Sequence, residues 1–430
     1  MAERRVAVVG AGLAGLAAAV ELANAGWEVE IFERSRLLGG RATSFHIDGL
    51  EVDNGQHVFL GCCTAFVQFV RDLGMADRLH VQDRFEALVF SRGSPPSRLR
   101  AALLPAPWHL VASFIGYRQL DWSAKWNVAR ALSRSRDLRR AGGTFAQWLG
   151  RNRQGKKALR AFWEPFFIPA LNAPLDRVSA ADAGFVVSTA FLESAGAARF
   201  GYATVPLAHI AAAAAHRATC VHLNSPVVGV AADAGSSGGA AIALARGERL
   251  RFDAIVIALP PPQLARLLGE PARFGLPGLS GYEPYPVVDV HLWHDRGGLG
   301  FDFAALLDSP VQWIFQKAHG YLCCSISAAS DEVHRPAAEL IAACWRELLA
   351  AIPALRGAQL VRGSVTRNPE ATFVAKPGVE RPGPRTAFAN VVLAGSWTDT
   401  GWPDTMESAV RSGRAAAGVL EASHRGSNVA

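Results

Sequence analysis

The sequence has few cysteines and none in a metal-binding or redox spacing. Its 430 residues include six cysteines, four of them in two adjacent pairs, and no C-x-x-C motif. Zinc fingers and thioredoxin-like sites are therefore not expected, and the sequence predicts reduced, mostly buried thiols and no metal site. Reduced thiols are typical of the cytoplasm, which is the compartment that we predict.

Long apolar runs are also absent. No stretch of 18 or more consecutive apolar residues occurs, so the sequence predicts no membrane-spanning helix. Arg4 and Arg5, which precede an apolar run, are similar to the start of a signal peptide. The glycine pattern described below explains that run better, and we expect no export.

Charged residues are scarce as well. They make up 19% of the chain, whereas half of all residues are apolar. This composition is typical of a folded protein with little disorder. A chain of 430 residues is long enough for at least two domains.

A glycine-rich turn near the N-terminus is the strongest signal that is present. The apolar run Val6–Val9 predicts a strand, an Ala/Leu-rich run predicts a helix, and a G-x-G-x-x-G turn joins them. In such a turn the backbone can approach a pyrophosphate, and the positive end of the helix faces the phosphates. We therefore predict a dinucleotide site on the residues of the turn, which are Gly10, Ala11, Gly12, Leu13, Ala14 and Gly15.

An acidic residue follows at the spacing expected for ribose recognition. Glu33 comes directly after a second predicted strand, Glu28–Phe32, about 20 residues beyond the turn. A carboxylate at this point can accept hydrogen bonds from both ribose hydroxyls. The alternative is a tight turn in an ordinary α/β protein.

A second glycine pair narrows the choice of nucleotide. Gly39-Gly40-Arg41 resembles the pattern of flavin-containing amine oxidases and carotenoid-type desaturases, in which this loop wraps FAD. The resemblance implies FAD as the cofactor, with Arg34, Gly40 and Arg41 among its contacts. A nicotinamide dehydrogenase is not expected to carry this pair.

A predicted hairpin leads to the first candidate catalytic residue. Asp48-Gly49 separates two strand-like runs, and the second run continues into Asn54-Gly55-Gln56-His57. In the resembling families this position lies against the flavin ring. Gln56 is therefore a candidate cofactor contact and His57 a candidate catalytic residue, and the alternative for His57 is a histidine that is hydrogen-bonded at a strand end.

The segment from residue 85 to 200 is rich in helix formers and aromatic residues. Its densest aromatic run extends from Phe162 to Pro169. The run is consistent with an ordinary core or with the wall of a hydrocarbon tunnel, and its two prolines favour an irregular wall over a packed helix. Glu164 within the run is the second candidate proton donor, because burial raises the pKa of a carboxyl group.

Basic residues are concentrated between Arg130 and Arg160, after an apolar, tryptophan-bearing segment from Leu103 to Tyr117. Cations beside apolar and aromatic side chains suit the surface of an anionic bilayer, which would place the protein peripherally at the inner face of the membrane. A solvated basic face beside a core helix is an equal alternative. Nucleic acid is not expected as a partner, because no nucleic-acid-binding fold accompanies the charge.

The C-terminal motif is the second strong one. The predicted strand Val391–Leu393 leads into Gly395 and Ser396, and a helix is expected to begin near Thr405 and Met406. Asp404 and Glu407 resemble a capping box for that helix. Pointed at a flavin, the helix dipole would stabilise the negative charge of the reduced ring, so Gly395, Ser396, Thr405 and Met406 are candidate cofactor contacts. The alternative is an ordinary strand, loop and helix that close a domain.

The order of these segments predicts an α/β fold, α+β overall. The resemblance implies a Rossmann-like FAD-binding domain of the amine-oxidase type and an interleaved mixed helix and sheet substrate domain. The strand at Val227, the hairpin that follows, with its Gly/Ser-rich turn, and a strand ending in Ala-x-Pro add to this resemblance, which implies Val227 as a cofactor contact. We assign residues 1–84, 200–265 and 385–424 to the FAD-binding domain, 85–199 and 266–384 to the substrate domain, and 425–430 to a tail.

Two runs narrow the resemblance further. Residues 53–61 and 393–403 resemble the squalene-associated, FAD-dependent hydroxysqualene dehydroxylases of bacterial hopanoid synthesis. The resemblance implies a long apolar isoprenoid substrate, hydride transfer from reduced FAD to the hydroxyl-bearing carbon of hydroxysqualene, and an electron donor that the sequence does not identify. Ser396 stands where this family usually has an acid that holds the ribityl chain, and serine can still donate or accept a hydrogen bond.

Two other functions are compatible with the same fold. A carotenoid-type desaturase would act oxidatively on a polyene, and product analysis separates it from a dehydroxylase. A non-catalytic isoprenoid-binding escort protein would carry a degenerate nucleotide site, whereas Gly10, Gly12, Gly15 and Glu33 are intact.

Overall fold

Two large sheets organise the chain and draw their strands from alternating parts of the sequence. The computed structural model describes residues 4–47, 49–232, 239–276, 278–318 and 320–427. Within these ranges no helix is both long and apolar enough to cross a membrane. The strands are, in chain order, β1 (Arg5–Val9), β2 (Glu28–Phe32), β3 (Ser44–Ile47), β4 (Leu50–Asp53), β5 (Val58–Leu60), β6 (Leu79–Val81), β7 (Glu86–Ser91), β8 (Ser94–Arg100), β9 (Phe200–Ala203), β10 (Cys220–His222), β11 (Val227–Ala232), β12 (Ala240–Leu244), β13 (Arg249–Phe252), β14 (Ala254–Ile257), β15 (Tyr282–His294), β16 (Phe303–Leu306), β17 (Trp313–Ala318), β18 (Tyr321–Ser327), β19 (Leu360–Ala375) and β20 (Val391–Leu393).

The helices connect these strands and pack on the sheets. A π-helical segment, Leu159–Trp163, joins α7 to α8. The α-helices are, in chain order, α1 (Leu13–Asn24), α2 (Thr64–Asp72), α3 (Val111–Ile115), α4 (Trp122–Leu132), α5 (Ser135–Arg140), α6 (Phe145–Arg151), α7 (Lys156–Ala158), α8 (Glu164–Leu171), α9 (Ala180–Val186), α10 (Leu207–Ala215), α11 (Pro261–Leu268), α12 (Ala337–Ala351) and α13 (Met406–Ser427).

The first sheet consists of five parallel strands in the order β10-β2-β1-β14-β20. In β1 only Arg5 is exposed, as expected for a parallel strand that is covered on both faces. Helix α13 packs closely on α1, since a Cβ atom at Gly413 would lie 2.2 Å from the Ala14 carbonyl oxygen. Because all five strands are parallel, the carboxyl ends of β1, β14 and β20 meet at one edge, where open α/β sheets bind ligands.

The second sheet has seven strands in the order β19-β15-β18-β17-β16-β7-β8. Strand β15 lies between β18 and β19 and is antiparallel to both. Val288 and Val290 of β15 share an apolar cluster with Leu340 of α12. Asp289 and His291 alternate with them and therefore lie on the opposite face, where both are buried.

Most of the predicted elements are present. The strands predicted at 6–9, 28–32 and 391–393 correspond to β1, β2 and β20, and the helix expected to begin near Thr405 and Met406 is α13. Strands β3 and β4 pair as the predicted hairpin, although Asp48 of its turn lies outside the described residues. Strands β11 and β12 form the second hairpin, and residues 234–238 of its turn also lie outside them. The domain boundaries stay a prediction.

The aromatic run from Phe162 to Pro169 is helical, which contradicts the irregular wall expected from its prolines. Pro165 lies in the first turn of α8, where its missing N–H removes no bond within that helix. A π-helical segment ends directly before α8, so the backbone hydrogen bonds change there from the π-helical to the α-helical pattern. Pro169 lies inside α8, two residues before the helix ends.

The predicted capping box of Asp404 and Glu407 is wrong. Thr405 caps α13 instead, because its Oγ1 atom accepts the Ser408 N–H at 3.2 Å. Asp404 accepts the N–H of Phe373 at 2.6 Å. The sequence spacing was that of a capping box, but both acids are occupied by parts of the chain that lie far away in sequence.

Glu407 caps helix α2. Its carboxylate accepts the N–H groups of Ala65 at 3.0 Å and Phe66 at 2.7 Å, and the residue is 1% exposed. Cys63 occupies the N-cap position of α2 and makes no side-chain capping bond. Glu407 therefore satisfies helical N–H groups that the local sequence leaves without an acceptor.

We expect the substitution Glu407→Ala to lower the free energy of unfolding by about 2–4 kcal/mol. Two helical N–H groups would lose their acceptor, and Arg411, whose Nε lies 2.7 Å from Oε1, would lose its partner. Chemical denaturation followed by circular dichroism measures this effect. The exposed Glu193 offers a matched control, and Glu193→Ala should change stability by less than about 0.5 kcal/mol. Equal losses in the two variants would contradict the capping role.

Candidate nucleotide and substrate site

The backbone of the turn between β1 and α1 requires glycine at two positions. Gly10 has a φ angle of +104°, and a Cβ atom at Gly15 would lie 2.0 Å from the Gly10 carbonyl oxygen. Leu13 and Ala14 are buried as the first residues of α1. Glycine is therefore required at both positions for the turn to form.

Gly12 differs from these two glycines because the space that a side chain would occupy there is open. A Cβ atom at Gly12 would meet no heavy atom within 4 Å, and the residue is partly exposed between the buried Ala11 and Leu13. Gly12 is the N-cap of α1, and no side chain caps this helix. Open space beside the backbone and N–H donors at the positive helix end fit the pyrophosphate of FAD.

Glu33 is held in place beside this turn. One carboxylate oxygen, Oε2, accepts the Ala11 N–H at 2.9 Å, and Oε1 accepts the Ser35 N–H at 2.8 Å. The residue is 8% exposed, whereas its neighbour Arg34 is exposed. Each oxygen keeps a further acceptor site, which fits recognition of the two ribose hydroxyls.

The second glycine pair lies directly against the first turn. The Gly39 N–H donates to the Ala11 carbonyl at 2.9 Å, and a Cβ atom at Gly40 would lie 3.0 Å from the Gly12 Cα. The predicted loops thus come together on one side of the open space at Gly12.

Arg41 joins this loop to the C-terminal motif. Its guanidinium contacts both oxygens of Asp404, at 2.8 and 3.1 Å, and its Nη2 donates to Ser396 Oγ at 2.6 Å. Ser396 is 3% exposed. The sequence identified Arg41 and Ser396 as separate cofactor contacts, and the structure brings them together through this hydrogen bond.

The remaining candidate cofactor contacts are Gly395, Thr405, Met406 and Val227. Gly395 follows β20 by two residues, and its N–H donates to Ser412 Oγ at 2.9 Å. Thr405 caps α13 and Met406 begins it. Val227 begins β11 and pairs with Leu244. The cofactor contacts of Gly395, Thr405, Met406 and Val227 stay a prediction.

Two buried polar atoms close to the second glycine pair have no partner in the described part of the chain. They are Thr43 Oγ1 and Gln56 Oε1. The Asn54 N–H donates to the Thr43 carbonyl at 2.8 Å, so the two segments adjoin. An unpaired buried polar atom costs about 1–3 kcal/mol, and a bound ligand offers it a partner. This observation fits a cofactor beside Gln56 and adds Thr43, which the sequence did not single out.

His57 lies at the polar face of the second sheet. Its Nδ1 atom is 3.0 Å from the Gly55 carbonyl oxygen, a contact in which Nδ1 carries the proton. The preceding Gln56 N–H is 3.3 Å from Asp289 Oδ2, and Asp289 is 1% exposed. The structure thus places the His57 segment against a buried carboxylate of β15.

Further polar residues on this face were not identified from the sequence. His291 contacts the Tyr321 hydroxyl through Nδ1 at 2.7 Å and Thr366 Oγ1 through Nε2 at 3.2 Å. Burial raises the pKa of Tyr321, and the nearby Cys323 and Asp289 raise it further, so the phenol stays neutral. The alternation of apolar residues with Asp289 and His291 in β15 was the available signal, since it indicates a strand with one polar face.

Glu164 occupies a different environment. Burial raises the pKa of its carboxyl group, Arg160 opposes this shift, and Asp308 adds to it. Arg160 and Asp308 form an ion pair at 2.9 Å with side chains that are 67% and 49% exposed. The structure therefore places Glu164 beside a surface ion pair and His57 beside buried groups, and the catalytic roles of both stay predictions.

A cleft of about 560 Å³ opens along β6, β7 and β16. Its lining includes the charged side chains of Asp83, Arg84, Glu86, Arg100 and Asp302. Hydrocarbon ligands require a mostly apolar lining, so this cleft does not fit the isoprenoid that the sequence implies.

Comparison with known proteins gives a consistent result. The family model described as flavin containing amine oxidoreductase matches residues 13–420. The chain is 30% identical to the hydroxysqualene dehydroxylase of Rhodopseudomonas palustris over 98% of this chain and 99% of that protein. It is 25% identical to the zeta-carotene desaturase of Arabidopsis thaliana over 97% of this chain and 85% of that protein. The cyclohexylamine oxidase of Brevibacterium oxydans, 18% identical, superimposes with a TM-score of 0.73 over 98% of this chain and 100% of that one, which confirms the predicted fold.

Proposed function

Because this chain belongs to the flavin-containing amine oxidoreductase family and is an FAD-dependent oxidoreductase, we propose that it reduces hydroxysqualene to squalene. The reaction replaces a C–O bond with a C–H bond, consumes one hydride and one proton, and releases water. Similarity to a hydroxysqualene dehydroxylase over nearly the whole of both chains supports this substrate.

The observation that carries the proposal is the polar group around His57. Hydroxide is a poor leaving group, so removal of a hydroxyl group requires a proton donor at the departing oxygen. His57 adjoins Gln56, whose N–H contacts the buried Asp289, on a sheet face that also carries His291. A desaturase breaks C–H bonds and has no leaving oxygen to protonate, so it has less need of such a group.

The residues of this chain would hold the cofactor and deliver the proton. Gly12, the N-terminus of α1 and Glu33 would hold the pyrophosphate and ribose, and bound reduced FAD supplies the hydride. The Gly55 carbonyl keeps a proton on His57 Nδ1, so the imidazolium donates from Nε2 to the hydroxyl oxygen, and water leaves as the C–O bond breaks. Asp289 positions this segment through the Gln56 N–H.

Aromatic side chains would line the site beyond His57. Val58 pairs with Tyr202 across β5 and β9, and the Tyr202 ring lies 5.7 Å from that of Phe303. Phe200 contacts both Phe303 and Trp313, with ring centroids 5.1 and 5.3 Å apart. Such faces exclude water and stabilise positive charge on an allylic carbon while the hydroxyl group departs.

An anaerobic turnover experiment tests the proposal. Purified protein with chemically reduced FAD is mixed with hydroxysqualene, squalene is followed by mass spectrometry, and flavin oxidation is followed by absorbance. We expect one squalene per FAD oxidised, and none with oxidised FAD alone. Bound flavin without squalene formation, together with oxidation of a carotene precursor, would favour the desaturase that the second relative suggests.

A further inference from the structure

A cluster of exposed apolar side chains lies between Leu103 and Trp126. Ten large apolar side chains are exposed in the described part of the chain, and seven of them fall in this segment. We refer to these seven as the tryptophan surface, which consists of Leu103, Leu104, Trp108, Val111, Ile115, Trp122 and Trp126. Exposed apolar side chains that are concentrated in one segment in this way are typical of an interaction surface.

Helix α4 shows that these tryptophans are not part of a core. Trp122 and Trp126 lie one turn apart and are 71% and 72% exposed, whereas Val128 and Ala131 on another face are buried. Asp121 caps the helix by accepting the Ala124 N–H at 2.8 Å. The helix thus buries its own apolar face and still presents two tryptophans to the outside.

The same region carries the positive charge of the protein. Residues 101–160 contain twelve Lys and Arg and two Asp, whereas the other 370 residues contain 32 Lys and Arg and 35 Asp and Glu. The Lys125 ammonium lies 4.7 Å from the Trp122 ring, and Lys157 pairs with Asp121 at 3.0 Å. The tryptophan surface is therefore adjacent to cations on a chain that is otherwise slightly acidic.

We propose that the tryptophan surface docks on an anionic lipid bilayer. Tryptophan rings favour the level of the lipid headgroups, and Lys and Arg next to them attract anionic lipids. A second copy of the chain is a poorer occupant, because its docking would bring two strongly basic regions together.

Aromatic contacts connect this surface with the candidate site. The Phe114 ring on α3 lies 5.6 Å from Phe162, which lies 5.7 Å from Phe166. Phe166 lies 5.8 Å from Trp313, which contacts Phe200 of β9. Strand β9 pairs with β5, which begins directly after His57. If the proposed function holds, the apolar substrate passes from the bilayer along these rings.

Vesicle flotation tests the docking without any need for activity. The holoenzyme is mixed with two kinds of vesicle. One contains phosphatidylcholine alone, and the other also contains about 30 mol% phosphatidylglycerol, which mimics an anionic leaflet. We expect binding to the anionic vesicles that weakens as salt is raised. Combined Trp108→Ser, Trp122→Ser and Trp126→Ser substitutions should lower the partition coefficient at least about tenfold, since they remove the inserted apolar area.

Exposed apolar residues elsewhere provide the matched control. Val228 is 56% exposed and Val361 is 70% exposed, and both lie outside the tryptophan surface. Val228→Ser and Val361→Ser together should leave binding within about twofold of the wild type. Thermal unfolding of each variant shows that its fold is retained. Unchanged vesicle binding in the tryptophan variant would overturn the proposal. A wild-type protein that forms a dimer without lipid, when the tryptophan variant does not, would also overturn it.

Turnover separates this proposal from the proposed function. A tryptophan variant that converts detergent-dispersed hydroxysqualene at the wild-type rate, but converts the vesicle-borne substrate at least about tenfold more slowly, would support the route from the bilayer. If no variant or wild-type protein forms squalene while the wild type still binds anionic vesicles, the docking stands and the proposed substrate is wrong.

Discussion

Replacement of Gly12 by alanine is expected to weaken FAD binding at least about 100-fold, or by roughly 3 kcal/mol, without unfolding the protein. The new methyl group would occupy the space in which no heavy atom lies within 4 Å, and the pyrophosphate could no longer approach the backbone. The φ angle of Gly12 is −72°, which alanine adopts readily, so the ligand-free fold should lose less than about 1 kcal/mol. Fluorescence titration with FAD and thermal unfolding of the apoprotein measure the two effects.

Substitutions of two other glycines serve as controls for this test. Gly418 in α13 is exposed and a Cβ atom there would also meet nothing within 4 Å, so Gly418→Ala should leave FAD affinity unchanged. Gly15→Ala should destabilise the apoprotein as well, because its Cβ atom would lie 2.0 Å from the Gly10 carbonyl oxygen. Wild-type FAD affinity in the Gly12 variant would show that the cofactor does not approach this turn.

Replacement of His57 by glutamine is expected to lower the rate of squalene formation by about 10²- to 10⁴-fold with FAD affinity retained. Glutamine keeps a hydrogen-bonding side chain but has no acidic proton to give to the departing hydroxyl oxygen. Stopped-flow absorbance of flavin oxidation under anaerobic conditions measures the rate, and fluorescence titration with FAD measures the affinity.

Glu164 is the alternative candidate for the proton donor. Because burial raises the pKa of its carboxyl group, Glu164 would keep its proton to a higher pH than an exposed glutamate, and the rate would fall as pH rises through that raised pKa. His57→Gln with the wild-type rate, combined with an inactive Glu164→Gln, would transfer the role of proton donor to Glu164. The surface ion pair of Arg160 and Asp308 beside it is the reason that we favour His57.

Features within a short stretch of chain were predictable from the sequence. The turn from Gly10 to Gly15, Glu33 and the β3–β4 pairing each depend on residues fewer than about 25 positions apart, and local backbone preferences largely decide them. The prolines of α8 were the exception: Pro165 lies in the first turn of the helix, where its missing N–H removes no bond within the helix, and Pro169 lies two residues before the helix ends.

Features that join distant segments were not predictable. Glu407 and Ala65 are separated by 342 positions, and Arg41 and Ser396 by 355. The residue types could be read from the sequence, but the choice of partner depends on which distant segments of the chain pack together. The capping box failed for this reason, since each acid found a partner outside its own helix.

By itself the sequence determined the FAD fold, the turn that fits the pyrophosphate, and the concentration of tryptophans and cations that follows residue 100. Only the tertiary structure decided that Asp289 contacts the segment of His57, that Glu164 lies beside a surface ion pair, and that Trp122 and Trp126 face outward. The reason is physical: backbone conformation follows mainly from local residue preferences, whereas burial and pairing of side chains follow from which distant segments pack together.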